Sequence, residues 1–392
     1  MVVPRYGVEI LGGAELGARM LAERLVAQLG WSVEVFTTCA QDHMTWADVY
    51  RPGDHVLNGV VVHRLRGAGG RPPAFFSCSE RLLSHPASAT LAEASTFIDL
   101  QGPTVPQMID AVAGAGCELV AFYPYLYATT VRVLPAVADR AIMHAAAHDE
   151  GALHLPVFRS VFRGAAGFVH HSRSEQALVE RTFGVGHRPQ VVLGLGYEEP
   201  PAPDGDEDRV ARIVGERPYL LSLGRVDGLK GTTLLGALFA QYKQRKPGPL
   251  RLVIAGPVTA APPAHPDVLL TGAVDEADKW ALLRHAVAFV QPSPHESFSV
   301  VTMEAWSQGL PVLVNARCDV TREHCQVSGG GLWFSSYATF EAAVDRLVAD
   351  EVLRGRLGRA GRRWVRSNYR WPAIVERYGR FTTGLLDGGA PR

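Results

Sequence analysis

The chain has 392 residues, 39 basic and 39 acidic side chains, and 47% hydrophobic residues. At roughly 100–200 residues per domain, that length suggests two domains with a core each, and a charged fraction of 20% beside so much apolar content excludes general disorder. Zero formal net charge argues against a dedicated nucleic-acid binder, which carries a basic surplus, so no nucleic-acid partner is expected.

Lysine occurs only at Lys230, Lys243, Lys246 and Lys279; every other basic residue is Arg, a compositional bias rather than chemistry. The five cysteines (Cys39, Cys78, Cys117, Cys318, Cys325) are odd in number and show no C-x-x-C, which fits reduced thiols in a cytoplasmic protein. No secretory signal is expected. The most apolar segment, 119–131, contains Pro124 and falls short of the roughly 18 apolar residues that a span needs. That leaves peripheral membrane contact as an option and no transmembrane segment.

In chain order, the first element is oddly short: Met1-Val2-Val3-Pro4 offers two apolar β-formers where a central strand needs about five. Either its beginning is missing or it is a short edge strand, and the two readings weigh equally. Ile10-Leu11-Gly12-Gly13-Ala14-Glu15 then reads as a loop entering a helix over 15–29, where Met20, Leu21, Leu25 and Leu29 recur at helical spacing. Strands are expected at 33–38, 60–65, 119–123, 141–147, 168–171 and 191–195. A second series follows at 219–223, 250–255, 268–271, 288–290 and 311–314. Apolar runs separated by helices indicate parallel sheets covered on both faces. Between the two series, EEPPAPDGDEDR (198–209) is rich in Pro and acid and reads as a linker. The expected architecture is α/β, with two Rossmann-like doubly wound parallel-sheet domains. The N-terminal domain is placed at 1–198, the linker at 199–217 and the C-terminal domain at 218–370, with a C-terminal helix at 371–392 packing back on the N-terminal domain.

Three stretches of the second half form a constellation. Ser222-Leu223-Gly224-Arg225-Val226-Asp227-Gly228-Leu229-Lys230-Gly231 follows a strand and precedes a helix. Arg225 and Lys230 therefore sit where an open α/β sheet binds ligands, and a guanidinium with an ammonium there suits a diphosphate. Two solvated loop cations are the bland alternative. The order Lys-Gly-Thr rules out a P-loop, which needs Gly-Lys-Ser/Thr. Next, Gln291-Pro292-Ser293-Pro294-His295-Glu296-Ser297-Phe298-Ser299 enters a helix near Ser299, whose free amides make an anion site. Glu296 precedes that helix and Glu304 lies in its second turn. Carboxylates suit vicinal sugar hydroxyls, but each acid taken alone more often merely complements a helix N-terminus. Finally, Gly309-Leu310-Pro311-Val312 turns into the next strand. Asp204-Gly205-Asp206 imitates a metal-binding D-x-D but lies in the linker and reads as solvated charge. Nothing has zinc-ligand spacing.

Together these residues resemble the retaining family-4 glycosyltransferases of GT-B fold, of bacterial type. The ordered set is Arg225…Lys230-Gly231, then Glu296 and Glu304 with seven residues between them, then Glu304-Ala305…Gly309-Leu310-Pro311-Val312. Supporting pieces are Ile254-Ala255-Gly256-Pro257, Gly272-Ala273-Val274, His171-Ser172-Arg173-Ser174-Glu175 and Gly12-Gly13-Ala14-Glu15. The resemblance covers nearly the whole chain and implies two domains facing a central cleft. It implies that Arg225 and Lys230 neutralise a donor diphosphate, Glu304 holds the nucleotide ribose, and Glu296 holds a hydroxyl of the transferred sugar. Backbone amides of Phe298, Ser299 and Val300 would contact phosphate, and Gly12 and Gly13 would let a loop approach it or the acceptor. His148 matches the histidine that touches the donor sugar, while His144 is read as structural. One departure is Glu296-Ser297-Phe298-Ser299, where the family has Glu-Gly-Phe-Gly; a serine forced to φ > 0 would be strained.

The implied activity is transfer of a sugar from a nucleoside-diphosphate sugar to a hydroxyl acceptor, whether saccharide, glycolipid or small metabolite. UDP is the expected nucleotide, with GDP and ADP as alternatives. No cofactor and no metal are expected, and front-face substitution is favoured because no convincing nucleophile appears. Another GT-B enzyme, such as a nucleotide-sugar epimerase, or a non-catalytic sugar-nucleotide binder is the alternative. The first 200 residues hold fifteen Arg, no Lys and nineteen acids, which argues mildly against docking on anionic lipid. Phe122-Tyr123-Pro124-Tyr125-Leu126-Tyr127 could stack on an acceptor, although core packing suits at least half of it.

Overall fold

A computed structural model describes residues 1–10 and 12–388, so Leu11 of the expected first loop and the last four residues of the expected C-terminal helix lie outside it. The chain forms two compact units. One comprises Met1–Leu195 with the chain from Trp371 onward, and the other Gly196–Arg370.

The first unit contains β1 (Glu34–Thr38), β2 (Gly53–Leu57), β3 (Val60–Leu65), β4 (Val120–Phe122), β5 (Ala141–His144), β6 (Gly167–His170) and β7 (Gln190–Val192). Their orders are β1-β3-β2 and β4-β5-β6-β7, parallel throughout except for β2 against β3. The N-terminal residues close the gap between these runs. Val2 bridges Phe36 and Phe122 in parallel; its amide donates to Ala121 (2.8 Å), and its carbonyl accepts from Tyr123 (3.0 Å). Hydrogen bonds on both sides make this segment internal, which corrects the edge-strand reading. β2 escaped the sequence because its Gly, Asp and His are mostly exposed on an antiparallel margin. The helix Trp371–Leu386 packs on Gly13–Leu29, with the Arg24 guanidinium 4.2 Å over the Trp371 ring.

The second unit holds β8 (Tyr219–Leu223), β9 (Arg251–Ala255), β10 (Val268–Gly272), β11 (Ala288–Gln291), β12 (Val312–Asn315) and β13 (Gly331–Phe334). All are parallel, in the order β10-β9-β8-β11-β12-β13. Counted within the unit this is 3-2-1-4-5-6, the doubly wound order whose direction of winding reverses between its first and fourth strands. Strands β8, β11 and β12 are buried on both faces, as their predominantly apolar runs require.

The linker reading needs correction. Residues 206–214 form a helix (Asp206–Val214) of the second unit, docked on the helix Glu276–His285 by Arg209–Asp278 (3.0 Å) and Arg284–Asp206 (2.6 Å). Its three acids fill the first turn, where the helix dipole favours them. Asp206 is therefore buried and ion-paired, not solvated.

Candidate active site

The chemistry-bearing loops of the second unit leave adjacent strands, β8 and β11, at the point where the winding reverses. Asp227 organises the first loop. One of its oxygens pairs with Arg225 Nε, the other accepts the Lys230 amide (2.6 Å), and its carbonyl accepts the Thr232 hydroxyl (2.9 Å) where the helix Thr232–Arg245 begins. Gly231, at φ +74°, lets this loop touch the next one; a Cβ there would stand 2.4 Å from the Pro292 carbonyl oxygen. Across that contact Lys230 Nζ reaches Glu296 Oε1 at 2.8 Å. Arg225, Lys230 and Glu296 thus form one network, with the two cations partly exposed and the carboxylates of Asp227 and Glu296 mostly covered.

The second loop enters the helix Val300–Ser307 through Ser299, which adopts φ 68°, ψ 74°. The strain expected of a serine in the family's glycine position is therefore present, of order 1–3 kcal/mol for such a conformation. It is held by side-chain bonds: Gln291 Nε2 donates to Ser299 Oγ (2.9 Å), which also bonds Thr302 Oγ1 (2.9 Å). Phe298 points its ring into the core against Tyr369 and His324, with centroids 5.0 and 5.4 Å away, so only its backbone is available to a ligand. Val300 opens the helix, and the first turn of any helix presents amides without intrahelical acceptors. The arrangement offers an anion two cations and a helix N-terminus.

Glu304 belongs to a separate pair. It is buried, and its Oε1 lies 2.9 Å from Lys279 Nζ, which also reaches Glu276 Oε2 at 2.8 Å. Burial pushes the Glu304 carboxyl above its ordinary range, against the pull of the Lys279 ammonium. Burial works against the charge on Lys279 too, yet the Glu304 and Glu276 carboxylates outweigh it and raise the ammonium. Sequence reading missed Lys279; its scarcity as a lysine was the available signal.

Gly12, Gly13 and His148 lie in the first unit. At Gly12 a Cβ would stand 2.4 Å from a carboxylate oxygen of Glu15, which is paired with Arg5 (2.6 Å); at Gly13 the space is open. Strand β5 ends at His144, short of the expected 147, because Ala146 turns to φ 51°. His148 follows in the loop, its Nε2 3.2 Å from Glu150 Oε2, while Glu150 Oε1 accepts the Tyr125 hydroxyl (2.7 Å). That turn is tied down by Glu175, which is buried at the start of the helix Arg173–Phe183. Its carboxylate accepts the amides of Ala147 (2.8 Å) and His171 (2.6 Å), and burial outweighs those bonds to push its carboxyl up to about 7. His144 stacks on Tyr123 with centroids 4.0 Å apart, and burial holds it neutral, in keeping with a structural role. Of the aromatic stretch, Phe122, Tyr123 and Tyr125 are core, and Tyr127 packs edge-on to Trp46 at 5.4 Å.

No group of three or more potential metal ligands occurs among the described residues, and no described helix is long and apolar enough to cross a membrane. Residues 204–364 match the profile described as Glycosyl transferases group 1. Over 355 residues the chain is 25% identical to a GDP-mannose-dependent alpha-(1-6)-phosphatidylinositol monomannoside mannosyltransferase of Mycobacterium tuberculosis, covering 83% of this chain and 89% of that protein. Over 191 residues it is 30% identical to a D-inositol 3-phosphate glycosyltransferase of Salinispora arenicola, covering 44% of this chain and 41% of that protein. A sucrose-phosphate synthase of Thermosynechococcus elongatus superposes with a TM-score of 0.69 at 19% identity, over 99% of this chain and 100% of that one.

Proposed function

For this chain, a glycosyltransferase of the GT-B class, we propose a family-4 retaining activity that moves a sugar from a nucleoside-diphosphate sugar to a hydroxyl acceptor. The observation that carries the reading is the convergence, at the β8/β11 reversal, of Arg225, Lys230 and the start of the helix Val300–Ser307. Cations partly exposed to solvent and held by exchangeable carboxylates suit an incoming diphosphate. Glu304 takes the nucleotide ribose. Glu296, tied to Lys230, takes a hydroxyl of the transferred sugar, so one residue pair links the phosphate and sugar ends of the donor. Gly12 and Gly13 serve the loop of the first unit, and to His148 the reading assigns orientation of the sugar.

In the reaction the acceptor oxygen bonds to the anomeric carbon on the face from which the diphosphate departs, the carbon–oxygen bond to phosphate breaks, and the acceptor proton passes to the leaving phosphate. Arg225, Lys230 and the amides near Ser299 carry the charge that develops there, and the protein acts by positioning and electrostatics. The diphosphate's charge is met by these groups, so the reaction is proposed to need no divalent metal. GDP-sugars stand beside UDP-sugars as donors to test, because the Mycobacterium tuberculosis relative is named for GDP-mannose. The acceptor is a saccharide, glycolipid or small metabolite. Five unpaired cysteines suit a cytoplasmic setting.

The deciding experiment incubates the protein with UDP-, GDP- and ADP-sugars and follows donor hydrolysis and transfer, before and after exhaustive EDTA treatment. The product's anomeric configuration is read by NMR. Retention and undiminished activity in EDTA are expected. An inverted product, or activity lost to chelation and restored by Mg²⁺ or Mn²⁺, overturns the mechanism; no turnover of any donor overturns the assignment.

A further inference from the structure

In a chain whose basic residues are overwhelmingly Arg, the four lysines occupy unlike settings. Lys246 makes an exposed pair with Asp345, and Lys243 is buried against backbone carbonyls and Asp267. Lys230 meets Glu296 at the strand ends. Lys279 stands between two carboxylates on different helices, 2.9 Å from Glu304 and 2.8 Å from Glu276, and 4.8 Å from the centroid of the Trp280 ring. A compact ammonium with three donors fits between two carboxylates; a planar guanidinium fork needs a wider, flatter approach.

We propose that Lys279 is a positioning residue of the nucleotide site, fixing the rotation of the Glu304 carboxylate so that its second oxygen is presented to the vicinal hydroxyls of the ribose. The inference rests on the reading of Glu304 given under Proposed function. The side chains of Lys279 and Glu304 are only 17% and 11% exposed, whereas that of Glu276 is 77% exposed. Lys279 is thus pinned from outside by Glu276 and delivers its charge inward to Glu304. Burial works against the charged form of Glu304, and only that form accepts from both ribose hydroxyls; the ammonium opposes that push and Glu276 adds to it. A merely structural clamp between the two helices would hold them together without affecting how nucleotide affinity depends on pH.

The test measures the affinity of UDP and GDP by calorimetry between pH 5.5 and 8.5 for the wild type, Lys279→Met, Glu304→Gln, the double variant and Glu276→Gln. In Lys279→Met a loss of about 10-fold at pH 7 is expected, the worth of one charge-assisted hydrogen bond, growing as the pH falls. The double variant should bind no more weakly than Glu304→Gln, because Lys279 acts through that carboxylate. Glu276→Gln, a change at an exposed site that leaves the core intact, should carry the acid fall in affinity to lower pH. A Lys279→Met loss that is independent of pH, or that adds fully to Glu304→Gln, overturns the proposal, as does an unmoved pH profile in Glu276→Gln. Failure of the underlying reading looks different: Glu304→Gln would then bind both nucleotides as tightly as the wild type.

Discussion

The two units hold their candidate functional groups by opposite means. In the second unit, Arg225, Lys230 and Lys279 each face a carboxylate, and two of the three side chains keep at least a third of their surface in water. Around β5 and β6 of the first unit, the loop carrying His148 is instead tied to the fully covered Glu175, and His144, His170 and His171 are buried near it as neutral rings. Partly exposed ion pairs contribute about 0–1 kcal/mol to stability, so an arriving diphosphate can take over their cations at little cost to the fold. Buried titratable groups contribute several kcal/mol and depend on pH. Ligand response should therefore concentrate in the second unit, and acid sensitivity in the first.

The largest expected effect tests the acid side of that contrast. Burial lowers His170, His171 and His324 to about 4, and holds His144 lower than its ordinary value. A depressed imidazole stabilises the fold above pH 6.5, and that contribution is lost as the pH falls through 4, roughly 3 kcal/mol for each of the three. Three such rings lie in the first unit and one in the second. Hydrogen exchange at pH 4.5 should therefore open the first unit's strands before the second's; simultaneous opening would erase the distinction.

Next in size are Arg225→Ala and Lys230→Ala. Each should lower donor turnover by about 1.5–3 kcal/mol, the worth of a charge-assisted bond, while changing unfolding free energy by less than about 1 kcal/mol. Donor kinetics left unchanged in both variants would remove the ligand side of the comparison.

Glu175→Gln sharpens it further. A carboxyl raised to about 7 contributes stability that is present below about 4.5 and lost as the pH rises through 7, opposing the histidines' slope. With Gln that opposition disappears. The rise in melting temperature between pH 4.5 and 6.5 should steepen, and turnover should fall as the Ala146–His148 turn loses one of its anchors. A slope identical to that of the wild type would contradict the assignment of Glu175.

The smallest effect is expected at Ser299. Replacement by Gly relieves a left-handed serine and should raise stability by up to about 1 kcal/mol, unless the lost bonds to Gln291 and Thr302 offset it. A melting curve shows which term wins, and turnover should change little because the backbone amide remains.

Much of this was legible from residues alone. Strands β1 and β3 to β12 stand where apolar or β-branched runs place them. The most apolar of these, such as β4, β8, β9, β11 and β12, are buried because a strand covered on both faces has little room for polar residues. Arg225, Lys230 and Glu296 come together because loops at the ends of adjacent strands fix where such side chains emerge, whereas Glu304, inside the following helix, pairs with Lys279 instead. The exposed margin strand β2 and the helix Asp206–Val214 left no such signature, since their polar residues read as loop. Nor could spacing show that Asp227 joins Arg225 to Lys230, that Lys279 reaches Glu304 across twenty-five positions, or that Glu175 holds the turn before His148. By itself the sequence determined which segments are buried and which residue types stand at strand ends, because hydrophobic period and turn chemistry are local. Only the tertiary structure decided the partners. Ion pairs, buried carboxyls and neutral histidines depend on what lies within a few ångströms in space, and chain separation carries no record of that distance.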